Sequence, residues 1–223
     1  MQEELLIIGA KKNNSVSKYM AKVYFLLSIS FLPTISTIFL LKDNIDYLKQ
    51  NYSMFLLGLL TFILMIGLFF LISIFRDKWF SYIFLMIFTS LMGAIITPTI
   101  SIYLKSVSGN EIIFQALILT FIVFIGMSIL SIFIKDVSFL GKFLFIGLIS
   151  IIVVGLFNLF FQSTLLNSVL SGLGAIIFSL YILYDTKNAT ENINQSPIIP
   201  VLELYLDLVN LFMDILNLLN LKK

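Results

Sequence analysis

Seven long apolar segments limit the folds that this chain can adopt. They lie at residues 19–41, 52–75, 79–104, 112–134, 139–162, 166–186 and 198–221. A helix needs about 20 residues to cross the hydrocarbon core of a bilayer, and each segment is long enough. Because lipid offers no hydrogen-bond partners, a spanning segment must satisfy its own backbone groups, as a helix does. The sequence therefore predicts an all-α integral membrane protein with seven transmembrane helices.

The composition supports a membrane protein without a separate soluble domain. The chain is 60% hydrophobic and 12% charged, whereas soluble domains are about 45–50% apolar and about 25% charged. Residues 1–18 are polar and predict a cytoplasmic N-terminal tail. Residues 19–223 are then predicted to form a single seven-helix membrane domain.

The distribution of basic residues indicates the orientation. With the N-terminus inside, nine of the 14 Lys and Arg residues fall in cytoplasmic segments, as the positive-inside rule favours. The high Ile, Lys, Asn and Phe content suggests a bacterium, so we expect the bacterial cytoplasmic membrane. The side of the C-terminus stays open, because a re-entrant last segment would return Lys222 and Lys223 to the inside.

The residue types that are absent narrow the possible chemistry. The chain has no His and no Cys, which removes histidine bases, cysteine nucleophiles and their zinc sites. Oxygen ligands remain, and these favour hard cations such as Ca²⁺ or Mg²⁺. No Ser lies in a recognisable nucleophile motif. We therefore expect no enzyme, no resident cofactor and, at a net charge of +2, no nucleic-acid partner.

Polar residues recur along one face of the last apolar segment. The steps between them are four, three, four and three residues, which align side chains on a helix. At mid-bilayer, each acid facing lipid would cost roughly 2.5 to 3.5 kcal/mol. The face must therefore meet protein or water, and we interpret it as the lining of a polar path. Its members are Glu203, Asp207, Asn210, Asp214 and Asn217.

Asp185 closes the sixth apolar segment, and Asp207 lies well inside the seventh. Whether they meet depends on how far the 187–197 loop lets the last helix slide. If they meet, they cannot both ionise cheaply in a low dielectric, so they would share a proton. Such a pair is a hydrogen-bonded latch when protonated, and it repels and attracts a divalent cation when ionised. The alternative is that Asp185 is an ordinary carboxylate at the membrane interface.

Two segments around these aspartates resemble the signatures of a known family. Phe178 to Asp185 (FSLYILYD) and Leu204 to Phe212 (LYLDLVNLF) are similar to the signature segments of the Bax inhibitor-1 family, the transmembrane Bax inhibitor motif group. That group includes bacterial calcium-leak members. Gly93 to Pro98 and Val154 to Asn158 also agree, and the spacing fits over nearly the whole chain beyond the N-terminal tail.

The resemblance implies a fold and a site. The C-terminal helix would be central and wrapped by the other six. Asp185 and Asp207 would form a di-aspartyl pH sensor gating a leak of Ca²⁺, the transported ion. In the family, a basic residue near the cytoplasmic end of the second helix pairs with the two aspartates in the closed form. Arg76 is the nearest match in this sequence. Glu203 and Asp214 depart from the small and neutral residues that the family favours there.

We therefore predict a pH-sensitive calcium leak channel in which Asp185 and Asp207 are sensor and gate. Arg76 is the candidate latch partner, and Glu203, Asn210 and Asp214 line the path. The alternative is a non-conducting regulator that binds another membrane protein, such as a quality-control protease. A proton-coupled transporter is a third possibility. The expected partners are the lipid bilayer, Ca²⁺ and, in the alternative, that second membrane protein.

Overall fold

The computed structural model of the chain describes residues 2–220, with side chains described from residue 14 onward. Within this part, all regular structure is α-helical, which confirms the predicted all-α class. The eight helices are α1 (Gln2–Leu41), α2 (Ile45–Asn51), α3 (Met54–Ile74), α4 (Ser81–Leu104), α5 (Gly109–Phe133), α6 (Ser138–Phe161), α7 (Thr164–Glu191) and α8 (Ile198–Asn220).

Six described segments are long and apolar enough to cross a membrane. They are Asn14–Leu41 of α1 and the whole of α3, α4, α5, α6 and α7. This confirms an integral membrane protein. The predicted seventh segment folds as α8, but its three acidic residues set it apart from the other six. α1 begins at Gln2, so residues 2–18 of the predicted tail are helical and continuous with the first apolar segment.

The chain forms two compact units, and the first comprises Met1–Lys105 and Ala189–Leu202. In it, α4 packs against α1, α2 and α3. At the contact with α1, the Thr34 hydroxyl donates to the Thr89 carbonyl at 2.9 Å. A methyl group at Gly93 would lie only 2.6 Å from the Thr34 carbonyl oxygen. Glycine therefore sets the distance between α1 and α4.

The second unit comprises Ser106–Asn188 and Glu203–Lys223. Its core is formed by Leu140 and Leu144 of α6, Leu183 of α7 and Val137 between α5 and α6, all buried. The α6–α7 connection is two residues long, and the Asn158 side chain bridges it by accepting from the Ser163 amide at 3.0 Å and donating to the Ser163 carbonyl at 3.3 Å. This unit carries α7 and most of α8, the two helices with the predicted site. That residues 19–223 form one membrane domain stays a prediction.

Candidate functional site

The structure brings Asp185 and Asp207 together inside the second unit. Their side chains share a hydrogen bond, and they are only 7% and 5% exposed. The Asp185 side chain is thus buried against α8 rather than exposed, and its position relative to the membrane interface stays a prediction.

The meeting depends on where the two helices end. α7 continues to Glu191, so Asp185 lies six residues inside the helix rather than at its end. α8 begins at Ile198, which puts Asp207 nine residues from its start. At 1.5 Å per residue, these positions are roughly 9 and 14 Å from the adjoining helix ends. The extension 187–191 of α7 thus places Asp185 inside its helix, where it lies against Asp207.

A hydrogen bond between two carboxyl groups requires a proton. Ionised carboxylates only accept, so one of Asp185 and Asp207 must donate through a protonated oxygen. Burial favours this state, because two negative charges in a low dielectric repel strongly. Oδ2 of Asp207 is buried and has no hydrogen-bond partner among the described residues. A protonated pair and an ionised pair would therefore make different interactions.

Two further ionisable side chains surround the pair. Glu203 precedes Asp207 by one helical turn on α8, is partly buried and interacts electrostatically with both aspartates. Tyr181 precedes Asp185 by one turn on α7 and also interacts with both. Sequence reasoning included Glu203 but missed Tyr181, whose four-residue spacing from Asp185 was the available signal.

The other predicted path-lining residues lie farther along α8. Asn210 and Asp214 are both partly buried, and Asp214 lies against Gly174 of α7. Sequence reasoning did not single out Gly174, because a contact between helices leaves no local signal. The polar face of α8 is thus inside the protein at Asp207 and partly enclosed at Asn210 and Asp214.

Arg76 lies in the first unit, at the turn between α3 and α4. Its guanidinium Nε is 3.9 Å from Oδ2 of Asp77, and both side chains are exposed. Its backbone carbonyl accepts a hydrogen bond from the Ser196 hydroxyl at 2.6 Å, which ties the turn to the segment before α8. The predicted pairing of Arg76 with the aspartates stays a prediction.

The carboxyl oxygens of Asp185 and Asp207 are the type of ligand that a hard cation prefers. Ca²⁺ takes six to eight oxygen ligands, so two carboxylates would provide a minority and water the rest. Among the described residues, no group of three or more His, Cys, Asp or Glu side chains is placed to hold a metal ion. Two carboxyl groups alone are thus fewer ligands than a bound Ca²⁺ takes.

The fold and the site define an all-helical integral membrane protein with a carboxyl pair enclosed in its interior. A family model described as "Inhibitor of apoptosis-promoting Bax1" matches residues 16–223. The chain belongs to this Bax inhibitor-1 family, which confirms the resemblance found around the two aspartates.

Similar proteins occur in bacteria and in yeast. An uncharacterized protein of Campylobacter jejuni is 44% identical over 133 residues, which cover 59% of this chain and 58% of that protein. An uncharacterized membrane protein of Vibrio cholerae is 39% identical over 60% of both chains. The Bax inhibitor 1 of Schizosaccharomyces pombe is 33% identical over 206 residues, which cover 90% of this chain and 75% of the yeast protein. The match thus spans less than two thirds of each bacterial relative.

Proposed function

We propose that this protein is a pH-sensitive calcium leak channel gated by Asp185 and Asp207. The observation that carries the proposal is the hydrogen bond between these buried carboxyl groups. While one proton is shared, the pair joins α7 to α8. When the proton leaves, two like charges in a low dielectric repel, and the contact between the helices changes.

The path would follow the polar face of α8. Glu203 lies one turn before Asp207, and Asn210 and Asp214 follow it on the same face. Carboxylate and amide oxygens replace part of the water shell of a hard cation. A cation moving along this face would thus meet oxygen ligands at successive turns, with the aspartate pair as the step that depends on a proton.

In the proposed arrangement, α8 is the seventh crossing and the central helix. Its burial supports this: Leu204, Tyr205, Leu211 and Leu216 are at most 1% exposed. A helix with its apolar residues and its acids enclosed fits a bundle interior better than a lipid-facing position. The N-terminus would be cytoplasmic, in a bacterial cytoplasmic membrane, and the protein would act without enzymatic chemistry.

The direct test is Ca²⁺ flux from liposomes containing the purified protein, measured across pH with a calcium-sensitive dye. The double variant Asp185→Asn/Asp207→Asn keeps the size of both side chains and removes their titration. We expect wild-type flux to depend on pH and the double variant to show the same flux at every pH. Asp43→Asn, which changes an exposed loop carboxylate, is the matched control and should keep the wild-type profile.

Two outcomes would contradict the proposal. Unchanged pH dependence in the double variant would remove the sensor role of the pair. No wild-type flux at any pH would favour the alternative, a non-conducting regulator that binds another membrane protein.

Arg76 as the latch partner is tested in the same liposomes. Arg76→Gln removes the charge, so we expect more flux at the pH at which the wild type is least conducting. Unchanged flux at that pH would exclude Arg76 from the latch.

A further inference from the structure

The Asp214 carboxylate of α8 occupies the space beside Gly174 of α7 that a side chain at position 174 would fill. A Cβ atom built on Gly174 would overlap the Asp214 carboxylate, with Cγ at 2.8 Å and Oδ1 at 3.1 Å. Gly172, two residues earlier on α7, is the contrast, because a Cβ there would meet no described atom within 4 Å. Of these two glycines, Gly174 is the one that leaves space for an acid of the neighbouring helix.

Asp214 is held in this contact by its position rather than by a partner. Among the described residues, no hydrogen bond or ion pair compensates its carboxylate. It is partly buried, so it keeps some access to water. It follows Asp207 by seven residues, or roughly 10 Å along α8. A second acid with free oxygens thus lies two turns beyond the aspartate pair on the same face.

We propose that Gly174 is a positioning residue that seats Asp214 between α7 and α8, where its carboxylate attracts the cation independently of the aspartate pair. This inference rests on the proposed leak function and adds a second attraction point to it. Gly174 contributes through the space it leaves, since any larger residue would occupy the place of the carboxylate.

The atoms in this contact indicate which group would move if Gly174 were replaced by a larger residue. The atoms that meet an added methyl group belong to the end of the flexible Asp214 side chain, not to the α8 backbone. The carboxylate can therefore rotate away while the helices keep their packing. Gly174→Ala should displace the acid and leave the protein folded, so a change in ion handling can be separated from a loss of structure.

The test measures flux against Ca²⁺ concentration at fixed pH, and the pH profile at fixed Ca²⁺. We expect Gly174→Ala and Asp214→Asn each to raise the half-saturating Ca²⁺ concentration by roughly threefold to tenfold, as expected for a single partly screened charge. Both should keep the step of the pH profile that depends on the aspartate pair, because that pair is intact. Gly172→Ala is the matched control and should behave as the wild type.

A double variant tests whether the two residues act as one unit. Gly174→Ala/Asp214→Asn should be no worse than either single variant, because residues in one contact do not act additively. The inference is overturned if Gly174→Ala leaves the half-saturating concentration unchanged, or if the two single effects multiply.

A second measurement separates this inference from the leak function itself. Ca²⁺ is titrated into the protein in detergent, and the rise in melting temperature is recorded. We expect a rise in the wild type and in Gly172→Ala, and a smaller rise in Gly174→Ala. If the melting temperature rises more in the wild type than in Gly174→Ala but the wild type conducts no Ca²⁺, the leak proposal fails and the positioning role stands. An equal rise in the wild type and Gly174→Ala would overturn the positioning role.

Discussion

The two units treat their buried polar groups differently. In the first unit, five buried hydroxyl groups donate to backbone carbonyls, four within their own helix or its preceding turn and one across to α4. These are the hydroxyls of Ser30, Thr34, Ser81, Thr89 and Thr97. Its described acids are all exposed, namely Asp43, Asp46, Asp77 and Glu191. The second unit instead encloses Asp185 and Asp207.

The difference follows from what each group can donate. A hydroxyl carries a proton at every ordinary pH and can give it to any carbonyl within reach. Ser101 is the buried hydroxyl of the first unit that has no such partner among the described residues. A carboxylate has no proton to give, so it cannot be satisfied in this way once ionised. Buried hydroxyls are thus permanent packing elements, whereas buried carboxyls change partners when they titrate. We therefore expect substitutions in the first unit to change stability, and those at the aspartates to change pH dependence.

The largest stability effect is expected at Gly93 in the first unit. Gly93→Ala places a methyl group against the Thr34 backbone, which cannot rotate away. Overpacking of this kind costs about 1–3 kcal/mol. Detergent-based unfolding should show that loss, with the shape of the flux–pH profile kept. Gly67→Ala in α3 is the control, because its added methyl group would meet nothing within 4 Å; equal stability of the two variants would contradict the packing account.

A smaller effect is expected from Thr34→Val, which preserves shape and removes the hydroxyl. It abolishes the donation to the Thr89 carbonyl and should cost about 1 kcal/mol, the typical net worth of a hydrogen bond. Unfolding in detergent measures the loss. A changed flux–pH profile in Thr34→Val would contradict the expectation that substitutions in the first unit change stability and not pH dependence.

The smallest effect is expected at the exposed ion pair between Asp46 and Lys105. The hydrogen bond and positive charge of Lys105 lower the pKa of Asp46 from its ordinary value of 3.8. A lowered pKa means that the pair stabilises the fold above that ordinary value and loses its effect as the pH falls through the lowered one. The melting temperature of the wild type should slightly exceed that of Asp46→Asn at neutral pH. A difference that persists in strong acid would contradict the assignment.

The helix positions followed from hydropathy, but the depth of Asp185 did not. The predicted segment 139–162 differs by one residue from α6 at each end, and the predicted segment 198–221 begins at the same residue as α8, because burial in lipid sets both the apolar run and the helix. α7 instead continues five residues past its apolar run to Glu191. A hydropathy criterion does not detect these mostly polar residues, which place Asp185 inside the helix rather than at its end.

The remaining parts of the site depend on contacts between helices. The spacing of the polar residues placed Glu203, Asn210 and Asp214 on one face of α8, and in the structure all three are partly buried. The contact of Asp214 with Gly174 needs the relative position of two helices, which local sequence does not encode.

The central claim is that Asp185 and Asp207 share a proton inside the protein. Infrared difference spectroscopy of the wild type and Asp185→Asn/Asp207→Asn detects a protonated carboxyl group by its carbonyl stretch. The account predicts this band in the wild type at neutral pH, its absence from the double variant, and its loss over the pH range in which Ca²⁺ flux changes. A wild type with both carboxyl groups ionised throughout that range would contradict the claim.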